Sequence, residues 1–183
     1  MYTQAEREIL QSVAKESILS GLQHQHPLRV NIPDYPENLQ QQRASFVTLN
    51  INHQLRGCIG SLSPNRSLVE DIAHNAYAAA FSDPRFPALG EKEYDQLEYH
   101  ISILSATSPM HFDSEQDLLS QIRPGIDGLI LQDQGRRGTF LPSVWEQLPN
   151  AEEFLSHLKQ KAGLAANHWS DTVQVSRYTV ESL

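Results

Sequence analysis

Apolar residues recur at helical intervals near the start of the chain, where Ile9, Leu10, Val13, Ala14, Ile18 and Leu22 share one face. Thr3 and Glu6 ahead of them have capping-box spacing, and Gly21 marks the expected stop. Prolines 27, 33 and 36 make residues 24–43 an extended excursion. The period then changes to two. In "SFVTLNIN", Val47, Leu49 and Ile51 alternate with Thr48, Asn50 and Asn52, the pattern of a half-buried strand. A tight connection at His53 and Gln54 leads into "LRGCIG", read as the second strand of a hairpin. Ser67 and Glu70 form another capping box before a helix that buries Val69, Ile72, Ala73, Ala76 and Ala80. Pro84 ends it, because the residue before proline disfavours helical geometry.

The second half repeats this mixture. "LEYHISIL" puts Leu97, Tyr99, Ile101 and Ile103 on one strand face, and a short helix over 115–122 follows Ser114. "GIDGLILQDQGRRGTFLP" reads as two strands around a Gly-rich turn. Helical segments are expected to start at Ser143 and Asn150, the latter running to Gly163, and "DTVQVSRYTV" alternates as a last strand. Hairpins without a regular strand–helix rhythm imply antiparallel pairing. The expected fold class is therefore α+β, a mostly antiparallel sheet flanked by helices, in a single domain over residues 1–183.

Composition narrows the function classes. A formal net charge of −8 repels a phosphate backbone, which argues against nucleic acid as a partner. No run approaches the roughly 18 apolar residues of a membrane span. "MYTQAEREIL" lacks a secretion signal's basic start and apolar core, and one cysteine makes no internal disulfide, so a cytoplasmic location is expected. Eight histidines are present without H-E-x-x-H or paired cysteines, so no metal site is expected, "HQH" included. No nucleotide-binding glycine motif and no G-x-S-x-G occurs, and no cofactor is implied. Nothing in the sequence demands a homodimer.

The single cysteine, Cys58, lies between Gly57 and Gly60, two residues after Arg56. The hexapeptide Leu55–Gly60, with "DPRFP", "YHISIL", "GIDGLIL", "GTFLPSVWEQLP" and "VSRYTV" in this order, resembles the AMMECR domain family. Its bacterial members are called the A component of the AmmeMemoRadiSam system. The resemblance runs from about residue 8 to 180. It implies one α+β unit with larger and smaller lobes and a cleft near the cysteine motif. It also implies a pathway shared with a Memo-type protein and a radical SAM enzyme, without naming a reaction. No role is carried onto His100.

A thiol attacks as its thiolate, and an ordinary thiol with pKa near 8.5 is only about one-tenth ionised at pH 7.5. Depressing such a pKa by about two units takes about 2.7 kcal/mol of differential stabilisation. A cation or close backbone N–H groups supply it. In a regular strand, Arg56 shares a face with Cys58, although a bulge at Gly57 cancels that. Gly57 and Gly60 allow main chain to approach the sulfur or a bound anion. A lone cysteine is also often a small buried hydrophobe, and glycines in strands often mark a bulge or a tight crossing.

His74 is the candidate base or proton shuttle, with a plain surface histidine as the alternative. Arg85 is a candidate clamp for a small anionic ligand beside Asp83. Alternatively Asp83 caps the loop, Arg85 pairs internally and Phe86 fills the core. Arg136 and Arg137 read as a solvated turn tip. Two function classes result: an enzyme or enzyme subunit using Cys58 as nucleophile or carrier, and a non-catalytic module binding a partner or ligand.

Overall fold

The Glu6 N–H donates to Thr3 Oγ1 at 3.3 Å and the Glu6 carboxylate accepts from the Thr3 N–H at 2.8 Å, so the first capping box starts α1 (Gln4–His24). The computed structural model describes residues 1–183. Gly21 does not stop α1. A Cβ there would lie 2.2 Å from the Phe81 ring, so this glycine is a helix-packing contact, and the helix ends at Gln25 in the left-handed region. A 3-10 turn over Ile32–Asp34 and the one-turn helix α2 (Glu37–Gln40) lead into the hairpin of β1 (Ser45–Ile51) and β2 (Gln54–Gly60). Asn52 and His53 both have positive φ at its turn.

Helix α3 (Leu68–Phe81) starts at the Ser67–Glu70 capping box, and α4 (Glu91–Tyr94) precedes β3 (Glu98–Leu104). After β4 (Ser108–Pro109) come α5 (Glu115–Gln121), β5 (Gly128–Asp133) and β6 (Arg136–Phe140). A 3-10 turn over Pro142–Glu146 replaces the helix expected from Ser143, and α6 (Ala151–Lys161) starts at the Asn150 cap. The final alternating stretch is two strands, β7 (Gln174–Tyr178) and β8 (Val180–Ser182), placed in different sheets. The fold is α+β with antiparallel sheets, and no helix is long and apolar enough to cross a membrane.

Two compact units form, Met1–Leu104 with Glu181–Leu183, and Ser105–Val180. In the first, the strand order is β2-β1-β3-β8. Val47, Leu49, Ile101 and Ile103 point to one face and pack with Leu10, Ile18 and Ile72 from α1 and α3. A polar knot lies within this core. Asp71 accepts from the Ser45 N–H at 2.9 Å and hydroxyl at 2.6 Å, and Asn75 Nδ2 donates to the same carboxylate at 2.9 Å. Burial raises the Asp71 pKa, while the bonds from Ser45 oppose that. The knot ties the start of β1 to the middle of α3.

The second unit has order β4-β7-β5-β6, with Leu129, Leu131 and Val175 packed against Phe154, Leu158 and Trp145. Its buried Asp133 accepts from the hydroxyls of Thr172 at 2.6 Å and Ser170 at 2.8 Å, and lies 2.6 Å from His168 Nε2. These partners, Thr172 first, hold the Asp133 carboxyl down at about 2.

Gly57 carries the tightest sheet–helix contact. A Cβ there would lie 2.1 Å from the main-chain oxygen of Ala79 on α3, and backbone cannot swing aside. Gly57→Ala is expected to lower unfolding stability by about 3 kcal/mol in urea denaturation. Gly90→Ala, whose Cβ meets nothing nearer than 3.7 Å, serves as the clash-free comparison, costing only the smaller penalty of Ala at the N-cap of α4. Equal stability of the two variants would contradict this packing.

Candidate functional site around Cys58

Strand β2 is the edge of its sheet, and Cys58 lies directly opposite Thr48 of β1. Val47 and Leu49 face the helices, so alternation puts Thr48 and Cys58 on the other, polar face. The Thr48 hydroxyl donates to Cys58 Sγ at 3.2 Å, and the cysteine is half-buried. Across β1, Thr48 also faces His100 of β3, which makes a three-strand row Cys58–Thr48–His100. Residues opposite one another in such a row have Cβ atoms about 5 Å apart.

The free edge at Cys58 is covered by side chains. The Cys58 N–H donates to Asp83 Oδ2 at 2.9 Å, and Arg85 Nη2 donates to the Cys58 carbonyl at 3.4 Å. Asp83 also accepts from the Arg85 N–H at 3.1 Å, from Arg85 Nε at 3.0 Å and from Nη2 at 2.8 Å. The Arg85 guanidinium, followed by the Cys58 N–H, holds the Asp83 carboxyl well below the usual carboxylate range. The Asp83 side chain is 1% exposed, whereas that of Arg85 is 55% exposed. One side of this pair is sealed and the other faces solvent.

Leu49 pairs with Gly57 and Asn50 with Leu55, so Arg56 is the extra residue of a bulge. Its guanidinium turns to Glu93, with Nε–Oε1 at 2.7 Å and Nη2–Oε2 at 3.1 Å, and to the Pro87 carbonyl at 3.0 Å. The pairing lowers the Glu93 pKa. The bulge therefore removes the regular-strand alignment of Arg56 with Cys58, and Arg56 is committed to α4.

Gly57 and Gly60 receive Ala79 of α3 and the Phe46 ring, respectively, rather than forming a cradle of N–H groups. His74 is exposed on α3, the helix that packs against the other face of the sheet. Its pKa is lowered by partial burial and by Arg66. The structure does not bring His74 to Cys58. Phe86 is half-buried between two guanidiniums, with Arg56 and Arg85 at 5.8 and 5.6 Å from its ring centre, and it is not a core plug. No group of three or more His, Cys, Asp or Glu side chains is arranged to hold a metal ion.

Sequence reasoning missed Thr48 and His100 as neighbours of the cysteine. Alternation put both on polar strand faces, but only the register sets them in one row.

The sequence pattern of AMMECR1 matches residues 11–183. The chain belongs to the AMMECR1 family. A protein of Thermotoga maritima is 41% identical over 149 residues, covering 80% of each chain. A protein of Methanothermobacter thermautotrophicus is 36% identical over 167 residues, 91% of this chain and 86% of the relative. The crystal structure of an uncharacterized protein from Pyrococcus horikoshii superposes with a TM-score of 0.83 at 31% identity, over 98% of this chain and 91% of its own. In this AMMECR1 chain, Cys58 thus has its backbone clamped by Asp83 and its sulfur left on a polar face.

The Asp83 clamp has a defined pH dependence. Its folded pKa lies below the ordinary 3.8, so its contribution is complete above that value and fades as pH falls below it. The stability lost in Asp83→Asn, measured by urea unfolding, should be full at about pH 6 and shrink from about pH 4 downward. A loss that grows on acidification would contradict the assignment.

Proposed function

We propose that this chain holds a small anionic metabolite at the Leu55–Gly60 segment, with Cys58 as nucleophile or covalent carrier. In this reading it serves a pathway shared with a Memo-type protein and a radical SAM enzyme. The observation that carries the reading is the half-buried sulfur on a polar sheet face, bonded by Thr48, beside a half-exposed Arg85 bound to the same residue's carbonyl. Arg85 and not Arg56 is the cation for the ligand, because Arg56 is bound to Glu93. In the covalent step the thiol proton passes to water. The sulfur lone pair forms the new S–C bond, and the leaving group departs with the electrons of the bond it breaks.

Alkylation tests the site in the intact protein. Iodoacetate carries a negative charge and iodoacetamide does not, so their rate ratio at Cys58 reads the local field. A unit cation roughly 5 Å away in water favours the anion by about 0.8 kcal/mol, or about fourfold. The ratio in the native protein is therefore expected to exceed that in the urea-unfolded chain by about this factor, and Arg85→Gln should remove the excess. Absence of native labelling, or a ratio unchanged by unfolding, defeats the reading.

One observation favours a second reading. The sulfur's only side-chain hydrogen-bond partner is Thr48, and no titratable group bonds to it. That suits a non-catalytic module binding a ligand or partner of the same pathway. Cys58→Ser keeps a hydroxyl for Thr48 and separates the two: retained pathway function supports the module, and loss supports the nucleophile.

A further inference from the structure

The second unit contains a groove that shares no residue with the Cys58 site. The Met110 N–H donates to the Val175 carbonyl at 2.8 Å, and a cavity of about 770 Å³ opens between the segment that follows Met110 and the β7 side of the sheet. That volume lies within the range of small-molecule sites. Met110 and Val175, both nearly buried, supply an apolar floor. Phe112 and Trp169 add an aromatic pair, with ring centres 5.6 Å apart and planes tilted by 52°.

Besides the exposed His111, the titratable side chains of the lining are carboxylates. Asp113 and Asp171 are exposed, both line the cavity, and neither carboxylate makes an ion pair or a side-chain hydrogen bond. The buried or half-buried carboxylates of the unit are committed instead: Asp127 to Arg123, Asp133 to its hydroxyl and imidazole partners, and Glu115 to Lys159. The Lys159 ammonium approaches the Trp169 ring at 5.5 Å, but Glu115 at 2.5 Å neutralises it. Aromatic surface next to unpaired carboxylates is the combination that recognises a positive charge on an apolar stem.

We propose that this groove binds an organic cation. Its stem lies along Met110, Val175 and the Phe112–Trp169 pair, and its positive group sits at Asp113 and Asp171. A free amine and the lysine side chain of a peptide offer the same chemistry.

Tryptophan fluorescence of the full chain tests the site. The only other indole, Trp145, is buried and stacked on Phe154 at 3.7 Å, so a response of Trp169 is separable through Trp169→Phe. Titration with 4-phenylbutylammonium should give a saturable change, with 4-phenylbutan-1-ol binding about tenfold more weakly. Asp113→Asn combined with Asp171→Asn should weaken the amine about tenfold and leave the alcohol unchanged. Both positions are exposed, so the fold, checked by circular dichroism, should persist. Acetyl-Gly-Lys-Gly-amide forms the second arm, and whichever cation binds more tightly identifies the source. No saturable response to either cation, or equal affinity for amine and alcohol, overturns the proposal.

Discussion

The Asp83 carboxylate accepts from the backbone N–H of Cys58 and receives the guanidinium and N–H of Arg85, and the arrangement of the first unit's edge depends on it. An edge strand exposes unpaired backbone groups, which invites unwanted strand pairing. Here Asp83 takes the donor and Arg85 takes the acceptor of the same residue, so a bent Asp-Pro-Arg segment substitutes for a neighbouring strand. Charge assistance makes these bonds stronger than neutral ones, and burial of the carboxylate makes them expensive to lose. The cysteine backbone is thus held from the edge while its sulfur, bonded by Thr48, lies on the sheet face.

The same geometry sorts the two arginines near the cysteine. The bulge at Arg56 turns its guanidinium to Glu93 and Pro87, and one of its nitrogens, Nη1, is buried without a hydrogen-bond partner. Arg85 instead lies at the surface and reaches the Cys58 carbonyl. Phe86 between them accepts a guanidinium at each of two approaches near 6 Å, which helps fix both side chains. Two arginines of similar appearance in the sequence therefore do different work: one braces α4 and the other borders the thiol.

Membership of the AMMECR1 family and the likeness to the Pyrococcus structure fix the fold and leave the reaction open, since a fold by itself does not specify chemistry. Two surfaces of this chain bring chemical groups together. The first unit places a thiol, a hydroxyl and an imidazole in one row across three strands. The second opens an aromatic and acidic groove where the chain leaves a two-residue edge strand.

Much of the fold was legible in the residues, because periodicity and capping are local. The Thr3–Glu6 and Ser67–Glu70 boxes started the helices they predict, alternation located β1, β3 and β7, and the Gly-rich turn located the β5–β6 pair. The cysteine motif was recognisable as a strand bounded by glycines, whereas Arg85 read either as an anion clamp or as internally paired with no partner named, and its pairing with Asp83 came from the structure. The bulge that redirects Arg56, the register that joins Thr48 to both Cys58 and His100, and the split of the last strand between two sheets were not legible. Nor was the role of Gly21, which depends on Phe81, 60 positions later in the chain. The sequence by itself determined most of the longer elements and their buried faces, since those follow from each residue's neighbours within a few positions. Only the tertiary structure decided which side chains meet, because pairing between distant strands and helices depends on register and close packing that no local pattern encodes.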